Sequence, residues 1–181
     1  MQARTRAAAT MSVVMPSRVR FLPVLAMVAA LLLPVEARPA AAQKVDKSAA
    51  PFTLEVLQGA ASGSLDASRG KVVILEFWAT YCGWCKATHP KLAAFAEANA
   101  DKVVVLGISA QKKSRLKRYL KRHDTGLTIL HDPKARTSRA YRANATPTLV
   151  VIDAEGKIRA WAQGGNKLKS ILRAAKSLVE P

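Results

Sequence analysis

The sequence predicts an α/β sandwich whose central sheet is mixed, with a parallel core, a C-terminal antiparallel hairpin and helices on both faces. Three observations predict this class. Short apolar runs rich in Val, Leu and Ile alternate with segments of helical periodicity, which is the pattern of parallel strands buried on both faces. The turn residues at 153–156 join two strand-like segments, as in a hairpin. Half of the 181 residues are hydrophobic, which suits one domain of ordinary size.

Six segments have the character of strands. The most continuous is 72–78, where large apolar residues follow one another and only Glu76 interrupts them. We expect this segment to be a central strand that is buried on both faces. The remaining strands are predicted at a weakly alternating edge segment, 52–56, and at 103–108, 127–130, 148–152 and 157–161.

Four segments have helical periodicity. They are 83–99, 114–123, 135–141 and a last amphipathic segment with Leu168, Ile171, Leu172, Ala175 and Leu178 on its apolar side. Pro90 lies inside the first of them and is expected to bend it, because proline lacks the backbone N–H and its ring clashes with the preceding turn. The helices alternate with the strands, as the predicted class requires.

Residues 1–42 are predicted to be a secretory signal peptide. Residues 1–20 contain four arginines and no acid, residues 21–35 are an apolar run with two prolines, and Ala40 and Ala42 are small residues that suit a cut after Ala42. An uncleaved membrane anchor is the alternative, although fifteen such residues fall short of the roughly twenty that span a bilayer. In either case we expect the rest of the chain to be exported to the periplasm, soluble or anchored at its N-terminus.

The exported part is predicted to contain a flexible lead-in, residues 43–50, and one folded domain, residues 51–181. The chain is strongly basic, with 29 Lys and Arg against 12 Asp and Glu. Seven of the cations lie in the segment 112–122, which is predicted to be a solvated helix face or a surface that steers the domain toward an acidic partner or an anionic membrane. Nucleic-acid binding is disfavoured, because the segment lacks interleaved exposed aromatic residues.

The two cysteines, Cys82 and Cys85, lie at a junction between a predicted strand and a predicted helix. At a helix N-terminus, unpaired backbone N–H groups and the positive end of the helix dipole favour a thiolate over a thiol. The second cysteine follows one turn later, close enough to form a disulfide with the first. We therefore predict that Cys82 attacks a disulfide in another protein and that Cys85 resolves the mixed disulfide.

Other roles for the cysteines have weaker support. A purely structural disulfide would close a very small loop and add little stability. A zinc site would need His89, His123 or His131, and no two of these have ligand spacing. Two inert buried thiols would be poorly placed at a strand-to-helix junction. A copper chaperone that uses the pair as soft ligands is an alternative from a different class of function.

Two motifs carry a family resemblance. They are Glu-Phe-Trp-Ala-Thr-Tyr-Cys-Gly-Trp-Cys-Lys at 76–86, followed by Pro90, and Ala-Thr-Pro-Thr at 145–148. With them the chain resembles the thioredoxin superfamily, and over residues 51–178 it is similar to the TlpA/ResA-like branch of exported thiol–disulfide proteins. The resemblance implies a thioredoxin-like three-layer sandwich and a redox-active Cys82–Cys85 disulfide, and it implies neither a metal nor another cofactor.

The resemblance also implies roles for two further residues. Pro147 matches the cis-proline that lies against the disulfide, and a cis bond would present the Thr146 backbone to a substrate segment. A trans proline at the start of an edge strand is the alternative. Glu76 matches the buried acid beneath the active site, where a carboxyl is suited to exchange a proton with Cys85. In another strand register Glu76 would point to solvent or pair with a lysine.

Four residues are expected to contact the substrate: Trp78, Tyr81, Trp84 and Thr146. Core packing is the alternative for Trp78. The chain departs from the branch in its Gly-Trp pair, where proline often precedes the second cysteine, and at Thr88, where many members have glutamate. No histidine lies between the cysteines, so the thiolate stabiliser of strongly oxidising sites is missing. The missing histidine favours a reductase.

The sequence thus predicts an exported thiol–disulfide oxidoreductase that reduces disulfides in specific protein substrates, as in cytochrome c maturation or metal-site assembly. Its electrons would come from a membrane donor. A disulfide oxidase or isomerase of the same fold would run the same exchange in the opposite direction. A peroxiredoxin is disfavoured, because the proline and threonine that surround a peroxidatic cysteine are missing.

Overall fold

The computed structural model describes residues 45–180. The predicted signal peptide, residues 1–42, therefore lies outside the described residues. None of the helices within the described range is long and apolar enough to cross a membrane.

A mixed sheet forms the middle layer of the domain. Its strands are β1 (Glu55–Gln58), β2 (Val72–Phe77), β3 (Val103–Ser109), β4 (Thr128–His131), β5 (Thr148–Ile152) and β6 (Ile158–Gln163). They lie in the order β1-β4-β3-β2-β5-β6. Strands β2, β3 and β4 are parallel, β5 and β6 continue antiparallel from β2, and β1 is antiparallel to β4. The predicted parallel core and C-terminal antiparallel hairpin are confirmed.

Helices cover both faces of this sheet. They are α1 (Gly83–Ala98), α2 (Lys113–Leu120), α3 (Arg136–Ala140) and α4 (Leu168–Val179). Leu92 of α1, Leu116 of α2 and Ile171 of α4 belong to the apolar cluster on one face. Tyr141, at the end of α3, belongs to the cluster on the other face. The three-layer sandwich is therefore confirmed, and α1 continues through Pro90.

The described part of the predicted lead-in, residues 45–50, is held against the hairpin. The Asp46 N–H donates a hydrogen bond to the Ile158 carbonyl at 2.7 Å, and the Ala49 N–H donates to the Gly156 carbonyl at 2.9 Å. Ala49 is buried. These bonds give partners to backbone groups at the outer edge of the hairpin, which would otherwise lack them. The folded part therefore extends to residues that the sequence predicts as flexible.

The first strand begins later in the chain than the predicted segment 52–56. The Leu54 N–H donates to the Gly63 carbonyl at 2.9 Å, so this part of the chain pairs with the loop before β2. Pairing with β4 begins at Glu55. Weak alternation in the sequence marks an extended segment but does not identify its partner, which explains the difference.

The topology brings two distant motifs together at one edge of the sheet. Strand β2 ends at Phe77 and leads into α1, which begins at Gly83. Because β5 is antiparallel to β2, with Thr148 opposite Phe77, Pro147, which directly precedes β5, lies beside the loop that leads to Cys82. The sheet thus assembles the candidate site from both motifs.

Candidate active site

Cys82 is the N-terminal cap of α1 and forms a disulfide with Cys85. The two Cα atoms are 5.3 Å apart, as one helical turn allows. The backbone of Cys82 is extended (φ −78°, ψ 106°), and its Sγ accepts a hydrogen bond from the Cys85 N–H at 3.1 Å. Once the disulfide is reduced, this N–H and the helix dipole stabilise negative charge on Cys82.

The two sulfurs differ in their access to solvent. Cys82 is 7% exposed, whereas Cys85 is 0% exposed. A disulfide of another protein can therefore approach Cys82, while Cys85 is sealed beneath it. This asymmetry supports the predicted order, in which Cys82 attacks first and Cys85 resolves the mixed disulfide.

The Thr146–Pro147 peptide bond is cis, as the resemblance implies. Pro147 is buried and its carbonyl accepts a hydrogen bond from the Gly164 N–H at 2.8 Å. Thr146 is exposed, and within residues 45–180 neither of its backbone groups has a hydrogen-bond partner. Thr146 and Tyr81 line the same cavity of about 310 Å³. An extended segment bound at this cavity can therefore pair with the Thr146 backbone.

Glu76 is fully buried on β2, on the sheet face that α1 covers. Its Oε1 lies 2.5 Å from the hydroxyl oxygen of Thr88, which also lies 3.0 Å from the Cys85 carbonyl oxygen. A hydroxyl has one proton, so Thr88 can donate to only one of these oxygens at a time. When Thr88 donates to the carbonyl of Cys85, Glu76 must be protonated to complete the other bond. Thr88 thus connects the Glu76 carboxyl to the backbone carbonyl of Cys85.

His89 is a part of this site that sequence reasoning considered only as a metal ligand. Its Nε2 lies 3.1 Å from Glu76 Oε2, out of hydrogen-bonding alignment, and neither atom has another partner among the described residues. Both side chains are buried. The carboxyl therefore faces a threonine and a histidine, which excludes the solvent-facing and lysine-paired alternatives. The signal for His89 is its spacing of four positions from Cys85, which places both on one face of α1.

Trp78 lies in the core, with only 2% of its surface exposed. Its ring centroid is 5.1 Å from that of His89 and 5.5 Å from that of Tyr119. Gly107 makes room for the indole, because a Cβ there would lie 3.3 Å from Trp78 Nε1 and 2.7 Å from Ile129 Cδ1. These contacts favour core packing for Trp78, although it also lines the cavity of Tyr81 and Thr146, and its contact with a substrate stays a prediction.

Tyr81 and Trp84 flank Cys82 and are 74% and 61% exposed. Trp84 packs on Gly165, where an added Cβ would come within 2.6 Å of the indole. A cavity of about 500 Å³ adjoins this contact. Exposed aromatic rings beside Cys82 offer large contact areas with a polar edge, and their contact with a substrate stays a prediction.

Gln111 ties the loop before Cys82 to the start of α2. The Thr80 N–H donates to Gln111 Oε1 at 2.7 Å, and the Gln111 carbonyl oxygen lies 3.1 Å from His131 Nε2. This contact holds the active-site loop and the following basic segment at a defined separation. No pattern in the sequence marks Gln111, because a single glutamine in a loop has no periodicity.

The two cysteine sulfurs are the soft ligands that a copper chaperone would use. Among residues 45–180, no group of three or more His, Cys, Asp and Glu side chains is arranged to hold a metal ion. The site as described therefore offers a dithiol or disulfide with a buried acid beneath it.

The chain is similar in sequence to known proteins over most of its described part. The sequence profile of the AhpC/TSA family matches residues 45–161. The thiol-disulfide oxidoreductase ResA of Halalkalibacterium halodurans is 28% identical over 124 residues, which cover 67% of this chain and 70% of that protein. The segment matched by the family profile includes both motifs of the site.

Solved structures share the fold. A candidate thiol:disulfide interchange protein DsbE from Chlorobium tepidum matches with a TM-score of 0.64 and 27% identity, over 73% of this chain and 97% of that one. The exposed lipoprotein thioredoxin of Streptococcus pneumoniae matches with a TM-score of 0.65 and 31% identity, over 71% of this chain and 100% of that one. Almost the whole of each neighbour thus has a counterpart here.

Proposed function

Because this chain belongs to the AhpC/TSA family, and is a TlpA/ResA-like thiol–disulfide oxidoreductase of the thioredoxin superfamily, we propose that it is exported and reduces disulfides in specific protein substrates. The observation that carries this proposal is the unequal burial of the cysteine pair at the N-terminus of α1. Cys82 keeps 7% of its surface exposed and lies at the positive end of a helix, while Cys85 behind it is fully buried.

The proposed reaction exchanges one disulfide for another. The Cys82 thiolate attacks one sulfur of the substrate disulfide, forms a mixed disulfide and displaces the other sulfur as a thiolate. Cys85 then gives its proton to the Glu76 carboxylate and attacks the sulfur of Cys82. This step restores the Cys82–Cys85 disulfide and releases the second substrate sulfur, so the substrate gains two electrons and the protein loses two.

The buried carboxyl of Glu76 provides a proton acceptor for the second step, in which Cys85 attacks Cys82. The thiol of Cys85 is shielded from water, so its proton needs an acceptor within the protein when it becomes a nucleophile. Glu76 is buried on the sheet face that α1 covers, and its carboxyl is connected through the Thr88 hydroxyl to the backbone carbonyl of Cys85, which places it near the thiol. In the reverse half of the cycle the same carboxyl returns the proton.

The substrate segment is proposed to bind across the cysteine pair as an extended strand. The unpaired backbone of Thr146 supplies main-chain hydrogen bonds, and the exposed rings of Tyr81 and Trp84 cover the segment from either side. Such contacts recognise a backbone more than a sequence, so selection among substrates requires a further surface.

Each turnover leaves the protein oxidised, so a donor of two electrons must reduce it again. For an exported protein we propose a membrane donor, and we propose apocytochrome c or metal-site assembly proteins as the substrates. The signal-like sequence of residues 1–42 supports export. The name of the pneumococcal neighbour, an exposed lipoprotein thioredoxin, supports the same compartment.

The reduction potential of the Cys82–Cys85 pair tests the direction of electron flow. No histidine lies between the cysteines to stabilise the thiolate strongly, so we expect a potential nearer to the roughly −270 mV of thioredoxin than to the roughly −120 mV of strong oxidants. Equilibration with glutathione buffers of known ratio measures it. A potential close to that of the oxidants would contradict the reductase and favour the oxidase alternative.

The reduced protein should also turn over insulin disulfides, which separates the enzyme from a copper chaperone. A chaperone would bind Cu(I) stoichiometrically through both thiols and would reduce insulin poorly.

Salt should slow the association of the protein with its redox partner. The cations of the segment 112–122 are largely exposed, and their field accelerates encounter with an acidic partner. We expect the association rate to fall by about tenfold or more as ionic strength rises from about 0.01 M to about 1 M, since screening shortens the reach of the field. Stopped-flow kinetics at several salt concentrations measures this effect. An association rate that does not depend on salt would contradict the proposal of an acidic partner.

A further inference from the structure

Five cationic side chains surround a cavity of about 460 Å³: Lys86, Lys112, Arg115, Arg118 and Arg122. Among residues 45–180, no carboxylate lines this cavity, which we call the basic cavity. It is concave, unlike the solvated helix face that the sequence also allows. Cations in a concave site act together on one ligand, because their fields are focused between low-dielectric walls.

The basic cavity adjoins the reactive cysteine. Its wall includes Thr80, two positions before Cys82, and Lys86, whose N–H donates to the Cys82 carbonyl at 3.3 Å. The hydrogen bond between Thr80 and Gln111 fixes the loop of Cys82 against the start of α2. A segment joined to Cys82 through a mixed disulfide therefore has the basic cavity within reach of its next few residues.

The cations of the basic cavity have no ion-pair partner in the part of the chain that the structure describes. None of the five forms an ion pair with a described acidic residue, whereas the neighbouring Lys113 is paired with Glu55 at 2.5 Å. The hydrogen bond from Lys113 lowers the pKa of Glu55. Five like charges around one cavity repel each other, and an anionic ligand would relieve this repulsion.

The same helix provides a comparison. Lys117 and Lys121 lie toward a different depression, which Leu57, Gln58 and Leu120 line with them. These two cations contribute to the net charge of the segment 112–122 but not to the basic cavity. The focused site and the general field of the helix can therefore be separated experimentally.

We propose that the basic cavity binds an acidic segment of the substrate protein, adjacent to the cysteine that forms the mixed disulfide with Cys82. This inference rests on the proposed function and names its substrate class, which is a protein disulfide with carboxylates close to it in sequence or in space. Backbone pairing at Thr146 would hold the cysteine-bearing strand, and the basic cavity would select among such strands by charge.

The test uses two disulfide-linked peptides that differ only beside the cysteine, where one has three aspartates and the other three asparagines. The reduced protein should act on the aspartate peptide with a kcat/KM about tenfold higher than on the asparagine peptide. The double variant Arg115→Glu, Arg118→Glu should abolish or invert this ratio. The double variant Lys117→Glu, Lys121→Glu changes the net charge equally and should keep most of the ratio.

Each outcome has a defined meaning. Equal loss of the ratio in both double variants would show that net charge acts at a distance, and it would overturn the basic cavity as a site. If the natural protein did not prefer the aspartate peptide, the proposal would be overturned as well. It would also be overturned if Arg115 and Arg118 were needed for binding to phosphatidylglycerol vesicles but no preference between the peptides existed.

Failure of the natural protein to reduce either peptide or insulin would refute the proposed function instead. Circular dichroism checks that both double variants are folded. Arg115→Gln with Arg118→Gln provides a milder version that should reduce the ratio to an intermediate value, and an unchanged ratio there would count against the proposal.

Discussion

Replacing Cys85 with alanine should turn the protein into a trap that stays covalently bound to its substrate through Cys82. Attack by Cys82 does not need Cys85, but release of the mixed disulfide does, because Cys85 is the only other thiol in the chain and lies against Cys82 Sγ. Turnover of insulin should fall by at least about a thousandfold. Non-reducing electrophoresis and mass spectrometry should detect the adduct and locate it on Cys82.

Cys82→Ala is the matched control for this trap. It should lose turnover to the same degree but form no adduct, since Cys85 is buried. Alkylation of the reduced natural protein should also be faster at Cys82 than for free cysteine at neutral pH, because the N-terminus of α1 favours the thiolate. An adduct on Cys85, or no adduct in either variant, would refute the assigned order of attack.

Glu76→Gln should slow the second half of the exchange without slowing the first. The amide keeps the size of the side chain and can bond to Thr88, but it cannot accept a proton from Cys85. We expect the mixed disulfide at Cys82 to resolve about a hundredfold more slowly near pH 7. The deficit should shrink as pH rises, because the hydroxide concentration rises and hydroxide can then take the Cys85 proton, more slowly than the carboxyl does in the natural protein.

Rapid mixing with a disulfide peptide followed by acid quench separates the two steps. The rate of formation of the mixed disulfide should match that of the natural protein, and only its decay should change. Thr88→Ser is the control, because it keeps the hydroxyl that contacts Glu76 Oε1 and should resolve the intermediate at a near-natural rate. Equal decay rates for Glu76→Gln and the natural protein would exclude the carboxyl as the proton acceptor.

The predictable part of the fold came from local patterns. The run 72–78 is apolar on both faces, so only a central position could bury it, and β2 is indeed flanked by β3 and β5. The turn residues at 153–156 connect two strand-like segments over only four positions. So short a connection predicts a hairpin. The exact start of β1 was not predictable, because a short alternating segment can pair either with a loop or with another strand.

The candidate site also contains residues that could be assigned from the sequence and residues that could not. The cysteine pair could be assigned from spacing, because three positions at a helix start place one sulfur on the cap and the other a turn behind it. The burial of Trp78 could not, since an apolar ring next to an active-site loop packs equally well inward or against a ligand. Gly107 on the neighbouring strand contributes to the space for Ile129 and for the indole, and the sequence does not show that these side chains meet.

By itself the sequence determined the order of the elements and the position of the cysteine pair at a strand-to-helix junction, because each depends on neighbours a few positions away. Only the tertiary structure decided that Glu76 meets Thr88 and His89, and that Lys86 of α1 joins the arginines of α2 around one cavity. Periodicity specifies which side chains share a face of an element. What that face touches is set by the packing of the whole domain, in which many weak contacts between distant segments act together.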